Sequence, residues 1–225
     1  ILHGGVGFVH RRFEAAAVEN SAVTFRLCDA DGADGFPGNL EVCVKYELTG
    51  DNRMIIRYSA ISDRKTVINL TNHSYFNLRG CGDILSHELK INADYYLPVD
   101  SELIPTGEIR SVEGTEFDFR SLRKIKNGFY DHCYVLNDEF CAELYDRESG
   151  RRLRVTTDMP GVQFYAGGAT GERKGKGGAV YGKNSALCLE TQFFPDSPNR
   201  PDFPSAELEA GELFTSCTTY AFSVE

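Results

Sequence analysis

Apolar and polar residues alternate along much of this chain with a period of two. Leu40, Val42, Val44, Tyr46 and Leu48 alternate with the charged residues Glu41, Lys45 and Glu47. Successive side chains of an extended strand point to opposite faces, so this pattern predicts a strand with one face buried. Thr49-Gly50-Asp51-Asn52 supplies turn chemistry, and Met54, Ile56 and Tyr58 resume the alternation on a second strand. The same rhythm returns at residues 23–27, 141–145 and 153–156. Short strands separated by Gly, Asn and Asp turns predict an all-β sandwich or barrel.

Helical signals are weak. Residues 118–123 predict one short turn with Asp118 as its cap. The run Ala15-Ala16-Ala17 favours helix by propensity, but its flanks, Phe13 and Val18-Glu19-Asn20-Ser21, suit a strand and a turn. A strand is the expectation there. With no internal repeat, low-complexity tract or linker, residues 1–225 read as a single domain. The chain starts at Ile1, inside an apparent motif, so an N-terminal portion is expected to be missing.

Composition fits a folded domain with a real core: 225 residues, 41% apolar and 25% charged. Asp and Glu outnumber Lys and Arg by 33 to 24, a net charge of −9. That field repels polyanions, and nucleic acid is not an expected partner. No apolar run approaches the roughly 18 residues that span a bilayer, so a membrane partner is not expected either. Seven cysteines, an odd number without a C-x-x-C pair, predict buried free thiols in a reducing cytoplasm. Two glycosylation sequons, at Asn69 and Asn72, carry little weight without a secretory signal.

Two motif readings fail. The run Gly171-Glu172-Arg173-Lys174-Gly175-Lys176-Gly177 lacks P-loop spacing and the Ser or Thr after its lysine, and reads as a mobile basic loop. The five histidines, His3, His10, His73, His87 and His132, show no metal-ligand spacing, and neither a metal nor a cofactor is expected.

Four polar clusters interrupt apolar or turn-rich text: residues 2–5, 69–78, 129–132 and 187–192. Singly, each has a plain explanation. His73 suits a satisfied core histidine, Asp131 a turn cap, Glu190 a solvent-facing position after a buried strand, and His3 a loop beside two glycines. Together they make a histidine/carboxylate acid–base set without nucleophile, metal or cofactor. Several reactions needing simultaneous proton removal and donation would suit it.

At these clusters the sequence resembles the galactose mutarotase (aldose 1-epimerase) family. The matching text is LHGG at 2–5, NLTNHSYFNL at 69–78, YLPVDSELIPTGEIRSVEGTEFDFR at 96–120, YDH at 130–132, PGVQFYAGG at 160–168 and LCLETQFFPDSPNRPDFP at 187–204. The resemblance implies a large antiparallel β-sandwich, the mutarotase supersandwich, holding a sugar on one sheet. It implies Glu190 as general base and His73 as general acid, interconverting the α and β anomers of a free hexose such as galactose or glucose. His3, Asp131 and Gln163 would bind the sugar, and the protein would be a monomer or homodimer. From reference values, Glu190 is expected to start ionised, and His73 to need modest upward help from Asp131 or Glu190. His10 and His87 are expected to be silent.

The chain departs from the family in two places. Gly168 stands where Asn is usual, and the Asn-Arg segment upstream of LHGG, whose arginine contacts substrate, is absent. Two rival functions remain: a sugar-binding homologue without turnover, and an epimerase of a phosphorylated hexose that would use Arg173, Lys174 and Lys176.

Overall fold

The structure, a computed structural model, describes residues 2–169 and 171–225. The alternating segments form strands as their period requires. Leu40–Leu48 buries Val42 and Val44 and pairs antiparallel with Arg53–Ser62 across the turn at residues 49–52. Asn52 takes φ 61 in that turn, a left-handed conformation that Asn tolerates better than most residues. Ala22–Asp29, Phe140–Asp146 and Arg151–Thr157 are likewise strands.

Nine antiparallel strands make the larger sheet, in the order Glu14–Val18, Ala22–Asp29, Leu40–Leu48, Arg53–Ser62, Leu213–Val224, Arg151–Thr157, Phe140–Asp146, Glu88–Ile91 and Arg123–Lys124. Ala15 to Ala17 lie in its edge strand, all exposed, with a register shift between Ala15 and Ala17. A smaller five-stranded sheet runs Cys188–Gln192, Gly161–Tyr165, Asp131–Val135, Tyr95–Tyr96 and Arg110–Ser111. One core fills the space between the two sheets. Val42, Ile56, Leu144, Val155 and Tyr220 enter it from the larger sheet, and Tyr134, Val162, Phe164 and Leu189 from the smaller.

Because the pleat alternates, residues 131, 163, 165, 188 and 190 share the opposite face of the smaller sheet. Part of that face is covered by a satellite cluster of Leu97, Cys133, Phe194 and Phe203. The rest carries the polar residues of the 131 and 190 motifs. The strand holding Glu190 is buttressed from behind. Tyr220 donates its hydroxyl to the Leu189 carbonyl at 3.2 Å, and Thr191 meets Thr218 hydroxyl to hydroxyl at 2.6 Å.

Three expectations need correction. Residues 118–123 form no helical turn: the Asp118 carboxylate instead accepts the Arg120 amide at 3.2 Å and pairs with its guanidinium. Arg123 then enters a strand against Leu89. The basic run near 173 is a short hairpin, Arg173–Lys174 against Val180–Tyr181, closed by a turn at Lys176–Gly178. The seven thiols are free as expected, but only Cys133, Cys141 and Cys188 are buried, while Cys28 and Cys81 are exposed. Among the described residues, no helix is long and apolar enough to cross a membrane.

Candidate active site

Glu190 sits in the middle of Cys188–Gln192, which pairs along its whole length with Gly161–Tyr165. It is 7% exposed, so it is not the solvent-facing residue that its place in the sequence allows. The register sets Gln163 directly opposite it, and Gln163 in turn opposes Cys133 on the strand that begins at Asp131. The Gln163 amide donates to the Asp131 carboxylate at 2.7 Å, and its own oxygen is buried without a hydrogen-bond partner among the described residues. Asp131 is thus a strand residue tied across the sheet rather than a turn cap.

His73 arrives from a loop anchored to the residues that flank the Glu190 strand on either side. Asn69 exchanges hydrogen bonds with the Phe193 backbone, at 3.1 and 2.9 Å. Phe76 forms a reciprocal backbone pair with Leu187, at 2.7 and 3.0 Å. Asn77 donates to the Ser185 carbonyl at 2.8 Å, and the Asn72 side chain accepts the Ser74 amide at 3.1 Å. The asparagines of the 69–78 motif therefore hold irregular backbone in place, as short amide side chains do well. The result sets His73 Nε2 3.4 Å from Glu190 Oε1 and Nδ1 3.3 Å from Cys188 Sγ. The His73 side chain remains 35% exposed, which rules out the buried core histidine.

His3 reaches the same place on a turn of left-handed residues, with φ 54 at His3, 72 at Gly4 and 80 at Gly5. Gly7 closes the turn at φ 68, where a Cβ would lie 2.5 Å from the His3 carbonyl oxygen. Glycine fits there because it has no Cβ. Asp34 ties the turn down, accepting from the Val6 amide at 3.3 Å and the Arg11 guanidinium at 3.0 Å. The His3 ring meets His73 edge-on at 5.7 Å, while Tyr75 stacks on His73 at 5.1 Å and Tyr165 closes the side at 6.5 Å.

All five residues singled out in the sequence, His3, His73, Asp131, Gln163 and Glu190, converge on one face. Three others there were missed. Tyr75 and Tyr165 lie inside the recognised text, at motif positions that suit core aromatics equally well. Cys188 looks in the sequence like any apolar strand residue. The sequence shows no metal-ligand spacing, yet the fold gathers His73, Cys188 and Glu190 so that one donor atom of each lies within 4.8 Å of the others.

The electrostatics invert the simple expectation. Burial, reinforced by the Asp131 charge, pushes the Glu190 carboxyl up to about 8. Burial also pulls the His73 imidazole down, with His3 adding to the effect and Asp131 only partly offsetting it. Near neutral pH the pair therefore holds one proton between its two groups, and the macroscopic titration belongs to both. The same proton carried by His73 instead gives carboxylate and imidazolium, 3.4 Å apart.

His87 is completely buried beneath this loop. Its Nε2 accepts the Leu78 amide at 3.0 Å, which places its proton on Nδ1, 4.0 Å from Asp146. A cavity of about 560 Å³ lies at the ends of three inner strands of the larger sheet, between Cys28, Ile61 and Asp63. A smaller one of about 270 Å³ lies between Phe129, Gly168 and Lys183.

Comparison with known proteins shows the family and the fold. The family model described as Aldose 1-epimerase matches residues 1–221. The galactose mutarotase of Mus musculus is 47% identical over 99% of this chain and 69% of its own length. The aldose 1-epimerase of Escherichia coli is 40% identical over 100% of the chain and 70% of its own. Among solved structures, the GalM/aldose epimerase homologue from C. elegans superposes with a TM-score of 0.95 at 33% identity, covering 99% of this chain and 72% of that one. A galactose 1-epimerase from Lactobacillus acidophilus gives 0.87 at 29% identity, over 100% and 70%.

Proposed function

The chain belongs to the aldose 1-epimerase family, and from that premise we propose that it interconverts the anomers of a free hexose, with Glu190 as base and His73 as acid. The observation that carries this reading is the His73–Glu190 contact at 3.4 Å on a face that also presents Asp131 and Gln163. Glu190 removes the proton of the C1 hydroxyl while His73 protonates the ring oxygen. The ring opens to the aldehyde, C1 turns about its bond to C2, and reclosure with the roles exchanged gives the other anomer. One proton enters the cycle on the pair and one leaves on it, so neither a net proton nor a redox partner is consumed. The raised Glu190 pKa makes its carboxylate a stronger base than an ordinary glutamate, as a base working near neutral pH needs to be.

Asp131 and the unpartnered Gln163 oxygen are acceptors for sugar hydroxyls, and His3 stands at the reacting end. Tyr75, 53% exposed, is an apolar wall of the kind a sugar ring packs against.

Substitution of Glu190 by Gln is the test, read by polarimetry on freshly dissolved α-galactose. The amide keeps the shape and cannot accept the proton, so kcat falls about 100-fold or more while sugar binding changes far less. Retention of a tenth of wild-type turnover would remove Glu190 from the role of base.

A further inference from the structure

We propose that His73, Cys188 and Glu190 form a binding site for a thiophilic divalent cation such as Zn²⁺, and that the cation excludes sugar and arrests turnover. Cys188 and Glu190 stand two apart on one strand and so face the same way, and the anchored loop brings His73 over both. Tetrahedral zinc, with Zn–N near 2.0–2.1 Å and Zn–S near 2.3 Å, sets nitrogen and sulfur about 3.6 Å apart. Here His73 Nδ1 and Cys188 Sγ are 3.3 Å apart. The third donor is also in reach, because one carboxylate oxygen of Glu190 lies within the same 4.8 Å group. Glu190 Oε1 stands 3.4 Å from the other ring nitrogen, Nε2, so binding all three donors to one ion requires the imidazole or the carboxylate to turn.

The donor set selects the metal. One sulfur, one nitrogen and one oxygen suit zinc or cobalt and not magnesium or calcium. A thiolate and a carboxylate together carry the charge that a dication neutralises. Among the described residues, the ion-pair partner of Glu190 is His73, with no Lys or Arg competing for it. Three protein donors with a fourth, solvent-side position resemble a catalytic zinc site in outline. In this site, however, the metal takes up the acid and the base themselves. Coordination displaces two protons to solvent, the Cys188 thiol proton and the one that His73 and Glu190 share near neutral pH, so the cation replaces the hydrogen that otherwise lies between Sγ and Nδ1.

The inhibitory consequence rests on the proposed roles of His73 and Glu190; the binding does not, and the experiment separates them. Zn²⁺ is titrated into the intact protein by calorimetry, with and without saturating galactose, and Co²⁺ is used as a spectroscopic probe. The wild type is expected to bind one Zn²⁺, less tightly when galactose is present, and to give the near-ultraviolet thiolate-to-Co²⁺ absorption. Cys188→Ser should lose that absorption and at least about tenfold in Zn²⁺ affinity. Cys28→Ser, a change at an exposed thiol on the other sheet, should alter neither. His73→Asn, at a partly exposed position, gives a second ligand deletion that does not disturb the core and should lose affinity likewise. A cobalt band that survives Cys188→Ser, or Zn²⁺ affinity indifferent to galactose, would overturn the site. If Glu190→Gln kept its turnover while Cys188-dependent binding persisted, the catalytic assignment would fail and the metal site would stand.

Discussion

Burial at Glu190 and His73 is both an obstacle to ionisation and the means of tuning it. Glu190 titrates near 8 rather than near its ordinary 4.5, and His73 below its ordinary 6.5. The one-proton state of the pair therefore spans neutral pH. In the free enzyme kcat/KM should follow a bell, with its alkaline limb near pH 8 and its acid limb below 6.5, in a pH titration corrected for spontaneous mutarotation. Stability follows the same shift. Between about 4.5 and 8 the folded chain holds a proton on Glu190 that the unfolded chain has lost, so folding weakens as pH rises through that window. Glu190→Gln abolishes the effect. Its melting temperature should match wild type at pH 4.5 and exceed it at pH 9, by an amount on the order of a few kcal/mol in stability. Equal melting temperatures at pH 9 would mean that the carboxylate is solvated better than its burial implies.

Two irregular segments, rather than the strands, decide whether the site is assembled. The loop at residues 69–78 hangs from Asn69, Phe76, Asn77 and Leu78, and the last of these is held by His87. His87→Asn leaves the Leu78 amide without its acceptor in a buried place. The expected outcome is a loss of about 1–3 kcal/mol in chemical denaturation, with kcat reduced because His73 shares the loop. A silent variant would show that Leu78 finds another acceptor. The turn bearing His3 depends on Gly7. Gly7→Ala forces a Cβ against the His3 carbonyl at a left-handed φ, a strain of roughly 1–2 kcal/mol for a residue other than glycine. Because this turn lies outside the main core, the variant should lose kcat/KM more than it loses thermal stability, and steady-state kinetics beside a thermal melt read the difference.

At the scale of the molecule, charge favours a neutral substrate. The chain carries −9, and the site itself presents Asp131 and Glu190. A sugar phosphate would add about −1.5 to −2 charges. The run of cations Arg173, Lys174 and Lys176 lies on an exposed hairpin, from which only Arg173 reaches the site closely enough for its charge to act on Tyr75. Free galactose or glucose should therefore show a higher kcat/KM than its 6-phosphate. A preference for the phosphate that disappears in Lys174→Ala would move the assignment to a phosphohexose.

The sequence by itself determined the alternating strands of the larger sheet and pointed to the five polar residues. Period-two alternation is a local property of the extended chain, and short motifs keep their residue types wherever they fold. It also separated Ala15–Ala17 from helix, because the flanking residues outweighed alanine's propensity. Tertiary structure alone decided which residues meet and in what protonation state. Register placed Gln163 opposite Glu190, and the anchors at 69, 76 and 77 brought His73 to Glu190 across more than a hundred residues of chain. The same packing turned Cys188 from an apparent core thiol into a neighbour of His73, and His87 from a bystander into a support for the loop. Ionisation could not be read from residue type, because a carboxyl's pKa depends on the water and charge around it, and burial beside Asp131 reversed the expected order of Glu190 and His73.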